Sequence, residues 1–190
     1  LHCQLILVYS NKDNFLRFMI KVLVTGGAGF IGSNLVDSLI NQGYNVSIID
    51  NLSTGSESNL NHKATFYNYD LSKISQKKLL EILEEVEFVF HLAALARVQP
   101  SILNPMPYHD ANTTSTLNLL NASHKSNVKR FIYSASSSCY GNSDKVPQNE
   151  SDPINPLSPY GLQKYVGELY CKLYSQIYDL DTVSLRYFNV

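Results

Sequence analysis

Two hydrophobic periodicities alternate along this chain. Short β-branched or apolar runs predict six strands, at residues 20–24, 46–49, 64–69, 88–90, 130–134 and 182–187. Apolar residues spaced three and four apart predict helices at residues 33–42, 76–86, 110–125 and 160–178. Because strands alternate with helices, we expect an α/β fold: a doubly wound parallel sheet with helices on both faces.

The longest predicted helix, residues 160–178, should bury one apolar face. Its candidate core residues are Val166, Leu169, Leu173 and Ile177. Prolines predict loops elsewhere, at residues 141–159 and before residue 110, around Pro100, Pro105 and Pro107.

Composition narrows the class of protein. Hydrophobic residues make up 44% of the chain and charged residues 16%, which indicates a folded domain rather than a disordered one. The net charge of −1 lacks the basic excess of a nucleic-acid binder. No apolar run is long enough to cross a membrane. The three cysteines have no metal-binding spacing, so we expect a cytoplasmic protein without a metal site.

The first 18 residues differ from the rest. They lack the basic leader and small-residue cleavage site of a secretory signal. We expect residues 1–18 to lie outside the fold, as a translated upstream stretch or a fragment edge, and residues 19–190 to form one domain.

A glycine-rich turn follows the first predicted strand and opens the first helix. Gly26, Gly29 and Gly32 let backbone N–H groups approach a pyrophosphate at a helix N-terminus. A merely flexible loop is the alternative. Asp50 ends the second strand and could accept hydrogen bonds from an adenosine ribose, which favours NAD over NADP. Asp70 ends the third strand and could meet the adenine or form a turn.

Tyr160 and Lys164 begin the longest helix and share one of its faces. A tyrosine has a pKa of about 10, and a nearby ammonium favours its phenolate. Ser136, at the end of the fifth strand, could orient a sugar hydroxyl while Tyr160 removes its proton and a nicotinamide takes the hydride. A solvated helix face is the alternative.

The motifs together resemble a known family. Residues 25–32 (TGGAGFIG), 91–94 (HLAA), 158–164 (SPYGLQK) and 186–189 (RYFN) occur in the order seen in extended short-chain dehydrogenase/reductases, the NAD-dependent epimerase/dehydratase family. Within it the chain looks most like UDP-sugar 4-epimerases acting on UDP-glucose or UDP-N-acetylglucosamine. This resemblance implies bound NAD, a UDP-sugar substrate, and a homodimer that packs through the long helix.

The resemblance also assigns site residues. The catalytic set is Ser136, Tyr160 and Lys164. The cofactor set is Gly26, Gly29, Phe30, Ile31, Gly32, Asp50, Asn51, Asp70, Leu71, Leu92, Ala93, Ala94, Asn112, Ser134, Tyr160, Lys164 and Tyr187. Asn112 would support the strand that carries residues 92–94. The substrate set is Arg97, Ser136, Ser137, Tyr160 and Asn189, although Arg97 could instead form a surface salt bridge.

Two differences from relatives bear on the reaction. Nucleotide-sugar dehydratases carry Asp-Glu where this chain has Ser137 and Ser138, so the resemblance favours epimerisation at carbon 4 through a 4-keto sugar. Relatives also continue with a C-terminal substrate-binding region, which we expect to be missing after Val190. A dehydratase or reductase, or a non-catalytic NAD-binding module, are the alternatives.

Overall fold

The computed structural model describes residues 20–143 and 145–189. The predicted leader, residues 1–18, lies outside the described residues. The six strands are β1 (Lys21–Thr25), β2 (Asn45–Asp50), β3 (Thr65–Asn68), β4 (Val86–His91), β5 (Arg130–Ser136) and β6 (Asp181–Tyr187). The helices are α1 (Phe30–Asn41), α2 (Gln76–Ile82), α3 (Val98–Leu103), α4 (Pro105–His109), α5 (Ser115–Lys125) and α6 (Pro159–Tyr178). A π-helical turn, Asp110–Thr114, joins α4 to α5, and 3-10 turns lie at Glu57–Asn59 and Ser137–Tyr140.

All six strands form one parallel sheet in the order β3-β2-β1-β4-β5-β6. The strand order reverses between β1 and β4: β2 and β3 are added on one side of β1, and β4 then pairs with its other side. Ligands of such sheets bind at this point, outside the carboxyl ends of the strands. The predicted doubly wound fold is confirmed.

Successive residues of β1 enter two separate cores, as strand geometry requires. Leu23 packs with Leu79, Leu119 and Phe131 under α2, α5 and α6. Val22 and Val24 pack with residues of α1 and β2 on the opposite face. The sheet is therefore covered on both sides, which explains why its central strands are nearly continuous apolar runs.

The prediction of which face of the long helix is buried is wrong. Leu169, Leu173 and Ile177 of α6 are 47%, 43% and 61% exposed, and Val166 is only partly buried. The side facing the sheet consists of Lys164, Gly167, Cys171 and Tyr174. Small residues on that side let α6 approach the sheet closely, so the larger aliphatic stripe points outward.

Two boundaries also differ from the prediction. The stretch expected to be a proline loop contains α3 and α4, because a proline fits the first turn of a helix, where its N–H would have no acceptor; Pro105 opens α4. The helix expected over residues 76–86 ends at Ile82, and Val86 begins β4. Across the residues described, no helix has the length and apolar character of a membrane span.

Candidate active site

A cleft of about 810 Å³ lies at the carboxyl edge of the sheet. It brings together the glycine turn, the ends of β2, β4, β5 and β6, and the first turn of α6. Every residue that the sequence assigned to the cofactor, the substrate or catalysis lines this cleft, except Arg97 and Asn112. The cleft runs from Asp70 and Ser72 at one end to Ser136 and Tyr160 at the other.

The glycine turn has no room for a side chain at Gly26 or Gly32. Gly26 adopts a φ of +74°, and a Cβ there would lie 2.7 Å from the Ala93 nitrogen. A Cβ on Gly32 would lie 2.1 Å from the Gly26 carbonyl oxygen. The N-cap residue of α1 is Gly29, which has no side chain to cap the helix, so the N–H groups of the first turn face the cleft without intrahelical acceptors. Such an open helix N-terminus favours an anionic ligand.

Asp50 is buried at the end of β2, and both of its oxygens already accept hydrogen bonds. Ala28 N–H donates to Oδ2 at 3.0 Å, and Leu52 N–H donates to Oδ1 at 2.8 Å. The carboxylate thus fixes the glycine turn, while each oxygen keeps a lone pair for another donor. A ribose diol could supply that donor.

Asp70 forms a turn, which is one of the two roles that its sequence position suggested. It lines the cleft and also closes a local turn, in which Ser72 N–H and Ser72 Oγ–H donate to its Oδ1 at 3.0 and 2.7 Å. Burial raises the pKa of Asp70, but the Ser72 hydrogen bonds and the Lys73 ammonium outweigh it, so the pKa is lowered.

Asn112 lies beneath the cleft rather than in its lining, contrary to its assignment as a cofactor contact. Its side chain accepts from Leu95 N–H at 2.9 Å and donates to Leu95 O at 3.1 Å. These two hydrogen bonds support the segment after β4, which is the supporting role that the resemblance implied. Arg97 is exposed just before α3 and does not line the cleft, so the structure does not place it among the substrate residues.

Ser136 caps the 3-10 turn after β5. Its Oγ accepts from Ser138 N–H at 3.2 Å and donates to Ser138 Oγ at 3.1 Å. Ser134 lies close to Tyr187 of the neighbouring strand, with 3.5 Å between their hydroxyl oxygens. The end of β5 therefore presents several hydroxyl groups to the cleft and no carboxylate.

Tyr160 and Lys164 enter the cleft from the start of α6. Ser158 caps the helix by accepting from Gly161 N–H at 3.0 Å, and Tyr160 N–H donates to Ser101 Oγ at 3.2 Å. Lys164 is 4% exposed, and its Nζ lies 4.5 Å from the centre of the Tyr133 ring. Burial lowers the pKa of Lys164 to about 8, against smaller opposing effects of Cys171 and Glu168.

The distance of α6 from the sheet is set by Gly167. A Cβ at this position would lie 2.2 Å from the Tyr133 hydroxyl oxygen. That hydroxyl donates to the Lys164 carbonyl oxygen at 3.3 Å. The helix that carries Tyr160 and Lys164 is therefore seated directly on Tyr133.

An ion pair connects α6 to β6 behind the cleft. Arg186 Nη2 lies 2.8 Å from Glu168 Oε2, and Arg186 Nη1 donates to the Tyr140 hydroxyl at 2.7 Å. Both charged side chains are largely buried, at 17% and 10% exposure. This network fixes β6, which ends in Tyr187, against the end of the Ser137–Tyr140 turn.

Sequence reasoning missed several residues of the cleft. Ser53, Thr54, Ser72 and Lys73 line it beside Asp50 and Asp70. The available signal was their position directly after β2 and β3, since loops after parallel strands meet at one edge. Ser101, which accepts from the Tyr160 backbone, gave no sequence signal.

The sheet order and the glycine turn define a Rossmann dinucleotide-binding domain. The model of the NAD dependent epimerase/dehydratase family matches residues 22–190, and the chain belongs to this family. It is 46% identical over 172 residues to a putative UDP-glucose 4-epimerase of Methanocaldococcus jannaschii, covering 89% of this chain and 55% of the relative.

Two solved structures are similar to this one. The UDP-N-acetylglucosamine 4-epimerase of Methanobrevibacter ruminantium M1, in complex with UDP-N-acetylmuramic acid, is 44% identical with a TM-score of 0.85, covering 90% of this chain and 55% of that one. The UDP-glucose 4-epimerase of Brucella ovis, in complex with NAD, is 38% identical with a TM-score of 0.84, covering 90% and 52%. The chain thus spans about half the length of the relatives it matches.

Proposed function

We propose that this chain supplies the NAD-binding and catalytic part of a cytoplasmic nucleotide-sugar 4-epimerase, which interconverts UDP-hexoses at carbon 4 through a transient 4-keto sugar. The observation that carries the proposal is that one cleft holds both the glycine turn and the Ser136, Tyr160 and Lys164 set. Similar proteins solved with NAD or a UDP-linked ligand support it.

The residues present fit NAD. Glycine at positions 26 and 32 lets the turn pack directly against the Ala93 backbone and against itself, and this tight turn leaves the backbone N–H groups at the start of α1 available to a pyrophosphate. Asp50 is a carboxylate acceptor suited to a ribose diol, and a 2′-phosphate in its place would be repelled. NAD supplies reversible hydride chemistry at carbon 4 of the sugar when it is bound.

The chain's own groups would handle the proton. Ser136 would hydrogen-bond the reacting hydroxyl and orient it, and Tyr160 would take the proton and later return it. The Lys164 ammonium, buried in the same cleft, would add positive charge to the site where the proton is transferred. Because hydride and proton are both returned, the sugar undergoes no net redox change.

The residues at the end of β5 favour epimerisation over dehydration. Loss of water needs a general acid and base beside the keto-sugar, and Ser137 and Ser138 have no carboxyl group to provide them. A dehydratase or reductase remains the second candidate because it would use the same cleft. Mass spectrometry separates the two, since only dehydration lowers the product mass by one water.

We propose a homodimer for the partner of this chain, formed through α6. Its outward stripe of Leu162, Leu169, Leu173 and Ile177 is between 43% and 61% exposed. An apolar face of this length on a folded domain is typical of a protein interface. A second copy presenting the same stripe would cover it, as expected for a two-fold symmetric contact.

The function is tested in the gene product that contains this chain, supplied with UDP-glucose or UDP-N-acetylglucosamine. We expect NMR to show that the 4-epimer accumulates. We also expect no lasting change in the absorbance of NADH. Tyr160→Phe should abolish this activity, whereas Tyr165→Phe, a partly buried neighbour outside the cleft, should retain it. Full activity in Tyr160→Phe would refute the assigned base.

A further inference from the structure

A continuous chain of hydrogen bonds passes through His91 and joins β1, β4, α5 and the π-helical turn next to the cleft. His91 Nδ1 lies 2.7 Å from Thr25 Oγ1, and His91 Nε2 lies 2.9 Å from Thr116 Oγ1. Thr116 Oγ1 in turn donates to the Asn112 carbonyl oxygen at 2.6 Å. Thr25 ends β1, His91 ends β4, and Thr116 and Asn112 belong to α5 and the π-helical turn.

The groups at the two ends of the hydrogen-bond chain determine where each of its protons lies. The Asn112 carbonyl can only accept, so the single hydroxyl proton of Thr116 is committed to it. His91 Nε2 must therefore carry the proton that it donates to Thr116. A neutral imidazole then has a bare Nδ1, which accepts the hydroxyl proton of Thr25.

Burial keeps His91 in this neutral form. The side chain is 1% exposed, and it packs against the rings of Phe131 and Tyr133 at centroid distances of 5.8 and 5.7 Å. Burial, with a smaller effect of the Lys164 charge, lowers the pKa of His91 to about 3. The ring is thus neutral at physiological pH.

This chain of hydrogen bonds ends at residues that fix the backbone of the cleft. Thr25 Oγ1, oriented by its bond to His91, also accepts from Ala93 N–H at 3.2 Å. Thr25 directly precedes Gly26, whose Cα faces the same Ala93 backbone. At the other end, Asn112 holds Leu95 through its amide. The cleft segment of residues 92–95 is therefore fixed from both sides.

We propose that His91, as the neutral Nε2–H tautomer, is a positioning residue that holds the Leu92–Ala94 segment and the glycine turn in register for the dinucleotide. This role rests on the proposed function, because it assigns the cleft to NAD. His91 lies outside the cleft lining and touches no ligand itself. It acts through Thr25 on one side and Thr116 on the other.

The tautomer is tested by NMR of the chain labelled with ¹⁵N-histidine. The ring signals that disappear in His91→Phe identify His91. We expect these signals to show a protonated Nε2 and a bare Nδ1 at pH 7, with or without NAD. A protonated Nδ1, in either the neutral or the charged ring, would overturn the proposal.

The positioning role is tested by the Kd for NAD, measured by calorimetry well below the melting temperature. Phenylalanine keeps the shape of the buried ring and removes both hydrogen bonds, so we expect His91→Phe to raise the Kd about tenfold, which is about 1.4 kcal/mol. Thr116→Val removes the hydroxyl that is hydrogen-bonded to His91 Nε2 and should also raise the Kd for NAD. Should His91→Phe fail to fold, Thr116→Val carries the test.

Val89→Ala is the matched control. Val89 is fully buried in β4 two residues earlier, so its truncation destabilises the core without touching the chain of hydrogen bonds. We expect its Kd for NAD to equal that of the unmodified chain. Equal affinity for NAD in the Val89, His91 and Thr116 variants would refute the role of His91 but not the proposed function. If the unmodified gene product that contains this chain binds no NAD, the proposed function is refuted, and this role with it.

Discussion

Replacing Lys164 with methionine should stabilise the folded chain while removing one of the proposed catalytic groups. Burial lowers the pKa of Lys164 from 10.5 to about 8, and a change of one in pKa corresponds to about 1.4 kcal/mol. Keeping this ammonium buried therefore costs about 3 kcal/mol at pH 7. Methionine has a similar length and no charge, so it removes this cost.

Part of the gain is offset by the contact that the ammonium makes with the Tyr133 ring, worth about 2 kcal/mol when desolvated. The net expectation is an increase of about 1 kcal/mol in the free energy of unfolding at pH 7. For a domain of this size, that corresponds to a rise of about 2–4 °C in Tm.

The pH dependence gives the sign of the effect. Below pH 8 the lysine is protonated in both the folded and the unfolded chain, so the cost of burial is fully present. Between pH 8 and 10.5 the folded chain releases this proton while the unfolded chain keeps it, so the stability of the original chain increases with pH. The advantage of Lys164→Met should therefore shrink across this window.

Urea unfolding of the chain without ligand, at pH 7 and pH 10, measures both quantities. Lys172→Met is the control, because Lys172 is exposed two turns further along α6 and its replacement should change stability by less than about 0.5 kcal/mol. A Lys164→Met chain that is no more stable than the original at pH 7, or whose advantage persists unchanged at pH 10, would refute the reasoning.

Three further predictions follow from packing and charge. Gly32→Ala puts a Cβ 2.1 Å from a backbone oxygen, so it should cost about 2 kcal/mol in urea unfolding and abolish the thermal stabilisation given by NAD. Glu168→Gln leaves the Arg186 charge largely buried and unpaired, and should cost about 3 kcal/mol in the same assay; an unchanged midpoint would contradict this. Leu173→Glu should convert a dimer to a monomer in light scattering, whereas Lys172→Glu should not.

The number of strands and their parallel arrangement were within reach of the sequence because buried parallel strands leave short, uninterrupted apolar runs. The cleft was predictable for a related reason. Loops that follow parallel strands must converge on one edge, so residues that follow or end strands, such as Gly26, Asp50 and Ser136, lie at the same edge of the sheet. The spacing of Tyr160 and Lys164 added the helix face.

The orientation of α6 could not be predicted because this helix is apolar on two sides. The stripe of Leu169, Leu173 and Ile177 is the more hydrophobic by sequence, yet the narrower side with Gly167 and Cys171 faces the sheet. Closeness of approach decided between the two sides, and it depends on what the sheet presents. Periodicity alone carries no information about that partner surface.

The absence of a side chain at residue 167 has a consequence for the chemistry some two turns away. Any larger residue would have to lift α6 from the Tyr133 hydroxyl by more than about 1 Å to reach ordinary contact. A displacement of that size at a reacting group can slow catalysis about a hundredfold. One hydrogen atom in the middle of a helix thus sets how high the phenol and the ammonium stand above the sheet.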